Sequence, residues 1–371
     1  MKLCVISDLN IVHIRRWLNY FILRGHEVHL IGDYPLRCSV PEGLIFHDLT
    51  KLNNMRKLRH FIWMPIVRQL VRKIQPDVLH AHWVAGPGWL GAATGFHPFL
   101  ITAQGSDLLV RAQRSWIQRQ LCRWALRQAD YVACVSGHLA QKALELGANP
   151  DRLEVVYAGI DTGVFYPASN PESARSKLNV GPGPIVLSIR GMRPIYHLLD
   201  IAHAIPHVLE QVPSARFIFF VYSCEPEYFA RFQATLQELD VKGAVQCVEE
   251  LADDNAIADF YRIADVAISV PSSDGTPNSV HEAMACGAVP VVSDLPSLHD
   301  WVRHEQEGLF VPLGDVAAIG ESIVRLLTDS ALRQRLRNNG TQLISQRADS
   351  KIWMRRSEEI YQHLIESTGG R

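Results

Sequence analysis

Short apolar runs alternate with longer amphipathic stretches along the whole chain. Leu3–Ser7 has the pattern of a strand buried on both faces, and His13–Arg24 then places Ile14, Trp17, Leu18, Phe21 and Ile22 at helical spacing. Gly25 stands where that helix should end, since glycine accepts the left-handed closing conformation. Glu27–Gly32 predicts the next strand, and the alternation continues through Val78–Ala81, Phe99–Ala103, Tyr131–Ser136 and Leu153–Tyr157. Strand–helix alternation of this kind means a parallel sheet covered by helices on both faces.

Between about Phe165 and Pro184 the chain becomes linker and turn material, with Tyr166-Pro-Ala-Ser-Asn-Pro171 and Gly181-Pro-Gly-Pro184. Alternation then restarts with Ile185–Ile189, Arg216–Tyr222, Val245–Val248, Val266–Val270, Val289–Ser293 and Leu309–Val311. The expectation is two α/β domains, residues 1–168 and 169–350, each with a Rossmann-like parallel sheet. A final helix over 351–371 is expected to pack back on the first. Ligands of open parallel sheets bind beyond the carboxyl ends of the strands, so polar residues just after strands carry the most weight.

Composition sharpens this only in places. The 371 residues carry a net charge of −1, but the first 170 hold 19 Lys and Arg against 12 Asp and Glu, a balance of +7, and the remainder is correspondingly acidic. A basic first half suits an anionic substrate or membrane surface, and equally a pair of oppositely charged domains. Seven cysteines lie singly, without metal-ligand spacing, and Met1 leads straight into a strand without an apolar leader; a reducing, cytoplasmic setting is expected. No apolar run has the ~18 residues that span a bilayer, and a pI near 7.0 without a reading motif argues against nucleic acid.

The chemistry concentrates in Asp274-Gly-Thr-Pro-Asn-Ser-Val-His-Glu282-Ala-Met-Ala-Cys-Gly287. The strand before it should release a loop over 271–277 into a helix that begins near Asn278, capped by Asn278 or Ser279. Gly275 permits close backbone approach, and Thr276 and Pro277 complete the loop. A helix N-terminus attracts an anion such as a diphosphate, while the carboxylates of Asp274 and Glu282 accept from sugar hydroxyls. A nucleotide-sugar has both halves. Glu282, one turn into the helix, suits the ribose diol, and Asp274 the transferred sugar. Arg190 and Arg193 follow the strand that ends at Ser188-Ile189, where a permanently charged fork can bind phosphate and stabilise a departing diphosphate.

The first half offers a second polar set. Asp77-Val-Leu-His80-Ala-His82-Trp83 ends one strand, Thr102-Ala-Gln104-Gly-Ser-Asp107 ends the next, and Asp8 and His13 follow the first. His80 and His82 would share a face of a continuing strand. No third ligand accompanies them, so no metal site is expected. His80 reads as structural, while His82, past the strand end, can position or deprotonate an acceptor hydroxyl. His13, Gln104 and Asp107 are the other acceptor-side candidates.

Together these pieces resemble glycosyltransferase family 4, retaining sugar-nucleotide transferases of GT-B fold, over nearly the whole chain. The resemblance rests on Ser7-Asp8 with His13-Ile-Arg15-Arg16-Trp17, on Gly159-Ile-Asp161-Thr-Gly-Val-Phe165-Tyr-Pro167, on Asp274–Gly287, and on Glu307-Gly-Leu-Phe-Val-Pro312. It implies two Rossmann-like domains facing an inter-domain cleft, metal-independent transfer of a hexose-like sugar from a nucleotide-diphosphate sugar, and retention at the anomeric carbon. His82, Asp274 and Arg190 would be catalytic. Arg190, Arg193, Asp274, Gly275, Thr276, Pro277, Asn278 and Glu282 would hold the donor, a co-substrate rather than a cofactor. Three departures stand out: Ile195-Tyr196 replaces the family's Lys-Gly pair, Leu9-Asn10-Ile11 replaces a Gly-Gly loop, and Gln104 stands where a His is often found.

The basic, aromatic stretches Arg56–Met64 and Arg111–Arg127 can lie on an anionic membrane, which suits a lipid-linked acceptor in cell-surface polysaccharide or glycolipid assembly, or can simply cover the first sheet. A free sugar or small-molecule acceptor is equally compatible. Two other functions fit the same motifs: a sugar-nucleotide epimerase or hydrolase, which needs no acceptor, and a non-catalytic nucleotide-sugar-binding protein, suggested by the missing Lys-Gly.

Overall fold

The computed structural model describes residues 1–52, 59–169, 171–188, 190–221, 223–249 and 253–368. Ile189 and Tyr222 at predicted strand ends, Arg56, Lys57 and Leu58 of the first basic stretch, and Glu250 and Leu251 after the predicted strand Val245–Val248 lie outside the described residues. The chain forms two compact units, Met1–Ala158 with Lys351–Arg371, and Gly159–Ser350. The division expected after residue 168 falls earlier because the junction segment is tied into the second unit. There Ile160 N donates to Ala348 O at 2.8 Å, Ser350 N donates to Ile160 O at 2.8 Å, and Arg262 Nη2 donates to Val164 O at 2.6 Å. Gly159 has φ +68°, and a Cβ there would lie 2.6 Å from Ser350 Cα, so this junction glycine admits no side chain.

The first unit holds seven parallel strands: β1 (Lys2–Ser7), β2 (Glu27–Gly32), β3 (Leu44–Asp48), β4 (Val78–His82), β5 (Phe99–Ala103), β6 (Tyr131–Cys134) and β7 (Leu153–Val155), in the order β3-β2-β1-β4-β5-β6-β7. Alternate residues of β1 enter different cores: Cys4 and Ile6 join one apolar cluster, Leu3 and Val5 the other. The helix Val12–Leu23 buries Ile14, Trp17, Leu18 and Phe21, and Gly25 at φ +79° follows it, with its N–H donating to Ile22 O at 2.9 Å. Edge strand β3 was not expected; Ile45 is 42% exposed, so its burial pattern carries little strand signal. The helix Ser350–Thr368 contributes Met354, Ile360, Tyr361 and Leu364 to the β1 cluster, and Arg356 grips Glu154 through Nε at 2.8 Å and Nη2 at 2.7 Å.

The second unit holds six parallel strands: β8 (Ile185–Ser188), β9 (Arg216–Phe220), β10 (Val245–Val248), β11 (Val266–Ser269), β12 (Val289–Ser293) and β13 (Leu309–Val311), in the order β10-β9-β8-β11-β12-β13. Val186, Phe217, Phe219, Val266, Ile268, Val289 and Val291 share one apolar cluster against the helices Leu198–Gln211 and Val316–Thr328. Both units are therefore Rossmann-like parallel sheets with helical cover, the expected fold class. Among the described residues no helix is long and apolar enough to cross a membrane.

Candidate functional site

In the second unit β8 and β11 are parallel neighbours, so residues leaving their carboxyl ends converge. Arg190 follows β8 and is 9% exposed. Its Nε donates to Ser269 Oγ at 2.8 Å, and its Nη2 donates to Asp274 Oδ2 at 2.6 Å. The guanidinium carbon lies 5.2 Å from the centroid of the Tyr196 ring, a cation–π contact. The Tyr196 that replaces a lysine-glycine position thus braces the arginine. Arg193 goes elsewhere: its Nε donates to Glu225 Oε1 at 3.0 Å, and both side chains are about half exposed. The second cation expected beside Arg190 is engaged by that carboxylate.

The loop after β11 runs through Asp274, buried Gly275, Thr276 and buried Pro277, and the helix spans Asn278–Cys286. The expected cap is corrected. Pro277 occupies the capping position, no side chain caps the helix, and Asn278 Oδ1 and Ser279 Oγ are buried without a hydrogen-bond partner among the described residues. Proline has no donor or acceptor side chain for a cap, so the helix N-terminus keeps its positive character for a ligand. Glu282 is 8% exposed on this helix, among Val280, Ala283 and Ala285. His281, fully buried 4.3 Å from the Trp301 ring, has its pKa pushed down to about 3, first by burial and then by Arg347. Glu307, in the last motif, has a local role: Arg303 donates to it from its backbone N at 2.9 Å and from Nη2 at 2.5 Å.

In the first unit His13, His82 and Gln104 line one cavity of about 50 Å³, with Trp17 and Thr102. His82 is the last residue of β4, paired in register with Thr102, rather than beyond the strand end as expected. His80 and His82 share a face, their rings 4.1 Å apart. His80 is spoken for on both nitrogens, with Tyr361 Oη 2.6 Å from Nδ1 and Thr102 Oγ1 2.7 Å from Nε2, and burial pushes its pKa down to about 3. His82 receives Gln104 Nε2 at 3.0 Å on Nδ1, which puts its proton on Nε2, an atom buried without a partner among the described residues. Burial, then the neighbouring His80 and His13, holds the His82 pKa well below the usual range. Burial, then Arg16, pushes His13 down to about 4.

Two expectations change here. With Nδ1 accepting from Gln104 and the proton on Nε2, His82 presents a donor, so of the two roles expected for it positioning is the one this hydrogen bond supports. Asp107 does not face an acceptor. Its carboxylate is fully buried and accepts from the backbone N of Val84 at 2.7 Å, Gly105 at 2.8 Å, Leu108 at 3.1 Å and Gln104 at 3.3 Å, so it fixes the loop that carries Gln104. Ser269 and Tyr361 were missed by the sequence reading. A serine within the apolar run Val266–Val270, at the end of β11, was a usable signal; nothing local marks Tyr361.

The two basic stretches also separate. The helix Arg59–Ile74 buries Trp63, Val67 and Val71 in the first unit's core. The helix Trp116–Gln128 exposes Trp116 by 74% and Ile117 by 62%, beside exposed Arg114 and Arg119.

Comparison with known proteins covers most of the chain. Residues 2–136 match the family described as "Glycosyl transferase 4-like", and residues 169–343 match "Glycosyl transferases group 1". N-acetyl-alpha-D-glucosaminyl L-malate synthase of Bacillus anthracis is 21% identical over 92% of this chain and 90% of its own length. D-inositol 3-phosphate glycosyltransferase of Acidothermus cellulolyticus is 31% identical over 58% of this chain, and the aligned part spans half of that protein's length. In structure, a sucrose-phosphate synthase from Thermosynechococcus elongatus superposes with a TM-score of 0.85 at 19% identity, covering 99% of this chain and 100% of its own. HepE of Anabaena, solved in complex with UDP and glucose, superposes with 0.82 at 16% identity, covering 98% and 100%.

Proposed function

Because the chain belongs to the group 1 glycosyltransferases, we propose that it moves a sugar from a nucleoside-diphosphate sugar to a hydroxyl acceptor with retention at the anomeric carbon and without a bound metal. The observation that carries this reading is Arg190, oriented by Ser269 and Asp274 at the ends of two neighbouring strands and next to an uncapped helix N-terminus. A fixed guanidinium and a helix dipole supply positive charge where the diphosphate leaves, in place of a cation. UDP in the Anabaena neighbour supports a nucleotide-sugar donor.

In the proposed reaction the anomeric carbon–oxygen bond to the diphosphate breaks and the nucleoside diphosphate departs with the electron pair. Arg190 stabilises the growing charge more in the transition state than in the ground state. The acceptor oxygen bonds the anomeric carbon on the same face, and its proton passes to a departing phosphate oxygen. Glu282 holds the ribose hydroxyls; Asp274, Gly275, Thr276, Pro277 and Asn278 surround the sugar and diphosphate. His82 Nε2–H donates a hydrogen bond on the acceptor side, with His13 and Gln104 beside it. The exposed Trp116 and Ile117 among arginines support peripheral contact with an anionic membrane, at which a lipid-linked acceptor of polysaccharide or glycolipid assembly would be met.

The test is a panel of UDP-, GDP- and ADP-sugars, read by thermal shift and then by nucleotide release with and without candidate acceptors. Stabilisation by one donor and acceptor-dependent release are expected. Release without any acceptor would favour a hydrolase, and no stabilisation by any member would overturn the reading.

A further inference from the structure

A second pocket lies in the first unit, apart from the His82 cavity. It measures about 200 Å³, space for roughly seven waters, and is lined by Asp8, Asp33, Tyr34, Trp83, Ser106 and Arg111 among others. Asp8 follows β1, Asp33 follows β2 and Trp83 follows β4, so the lining comes from the carboxyl ends of adjacent strands, where open parallel sheets bind ligands.

Asp33 is the unusual member. It is 1% exposed, and neither carboxylate oxygen has a hydrogen-bond partner among the described residues. The His60 ring nitrogen Nε2 is 3.6 Å away, beyond a good hydrogen bond. A buried carboxylate left without donors is costly, and a ligand that brings donors removes the cost. Asp8 stands close enough for Asp33's charge to help raise its pKa, after the larger effect of burial, and it already receives Asn10 N at 2.9 Å and Asn10 Nδ2 at 2.7 Å on Oδ1. Arg111 is the counter-charge; its Nη2 donates to Tyr34 Oη at 3.2 Å. Trp83 adds an aromatic ring, held at φ +77°, a conformation that a bulky residue adopts only under constraint.

We propose that this pocket takes an uncharged polyhydroxyl ring of the acceptor, a neutral sugar unit whose hydroxyls donate to Asp33 and Asp8 while a ring face lies on Trp83, which follows His82 and whose ring is 6.2 Å from that of His13. Two carboxylates accept hydroxyl protons and repel a phosphate or carboxylate; of the basic groups nearby, Arg111 in the lining is already bonded to a tyrosine, while Arg37, which acts on Asp8, and His60, beside Asp33, stand outside the lining. The proposal rests on the transferase reading above. It differs from what the names of two relatives state, since L-malate and inositol 3-phosphate are both anionic.

The experiment uses the full chain with the best-binding of UDP, GDP and ADP present. Saturation-transfer NMR compares matched pairs: methyl glucoside with methyl glucuronide, and glucose with glucose 6-phosphate. The neutral member is expected to bind at least about tenfold more tightly than its anionic partner. Asp33→Asn should narrow that ratio by removing one charge at nearly constant volume, and Asp8→Asn should narrow it independently should the first variant fold poorly. Equal or tighter binding of the anionic members, binding of neither class, or unchanged ratios in both variants would overturn the proposal. Nucleotide affinity is read on the same samples and reports on the second unit, so its loss counts against the donor assignment and not against this pocket.

Discussion

Arg190 Nη2 sits 2.6 Å from Asp274 Oδ2, while Arg190 Nε holds Ser269 Oγ. The acid that opens the Asp274–Glu282 motif is thereby coupled to an arginine from a different strand, and the fork is oriented before any ligand arrives. Replacing it with a flexible ammonium keeps the charge and loses the two-point geometry. Arg190→Lys should lower acceptor-dependent nucleotide release by about 10²-fold, with a smaller loss of nucleoside-diphosphate affinity. Turnover within twofold of wild type would remove Arg190 from the reaction.

Tyr361 and His82 should separate fold from function. Tyr361→Phe leaves His80 Nδ1 buried without its 2.6 Å partner and should destabilise the first unit by about 1–3 kcal/mol, measured by urea denaturation. His82→Ala should leave nucleotide affinity unchanged and slow transfer by about 10²-fold, the usual scale for a positioned proton-bearing group. A stability loss with normal turnover would reassign His82 to the core.

Acid should weaken both units. His80 and His281 titrate near 6.5 unfolded but are held down to about 3 in the fold. Below pH 6.5 the unfolded chain therefore binds more protons, so the stabilisation is fully present above pH 6.5 and declines as pH falls toward 3. Each histidine contributes a slope of up to about 1.4 kcal/mol per pH unit. Urea midpoints at pH 7, 6 and 5 should fall steadily, and a flat profile would mean that these rings take up protons in the fold.

The exposed Trp116 and Ile117 should report on membrane contact. Changing both to serine removes the apolar anchor and leaves the neighbouring arginines. Co-sedimentation with vesicles containing phosphatidylserine should fall severalfold, while binding to neutral vesicles stays low in both proteins. Equal sedimentation of the double variant would show that Trp116 and Ile117 do not anchor the chain.

Much of this was legible in the chain because its signals are local. Buried parallel strands read as apolar runs, and every predicted strand has a counterpart. The edge strand β3 escaped because it is partly exposed. The Asp274–Glu282 spacing marked the donor candidates because loop and helix follow each other in sequence. What required three dimensions were contacts between distant residues. Arg193, expected as a second phosphate cation, pairs with Glu225 at 3.0 Å, and Asp107, expected on the acceptor side, receives four backbone N–H groups. Asp33, a single acid after a glycine, carries no sequence motif; its importance lies in burial without a hydrogen-bond partner among the described residues.

The central claim is that Glu282 holds the ribose of a nucleotide donor, and calorimetry tests it most directly. The nucleoside diphosphate that binds best among UDP, GDP and ADP is titrated, with its 2′,3′-dideoxy counterpart, into wild type and Glu282→Ala. Wild type should prefer the ribonucleotide by about tenfold or more, the scale of hydrogen bonds to a carboxylate, and the variant should lose both that preference and the matching affinity. An unchanged preference in the variant would contradict the account.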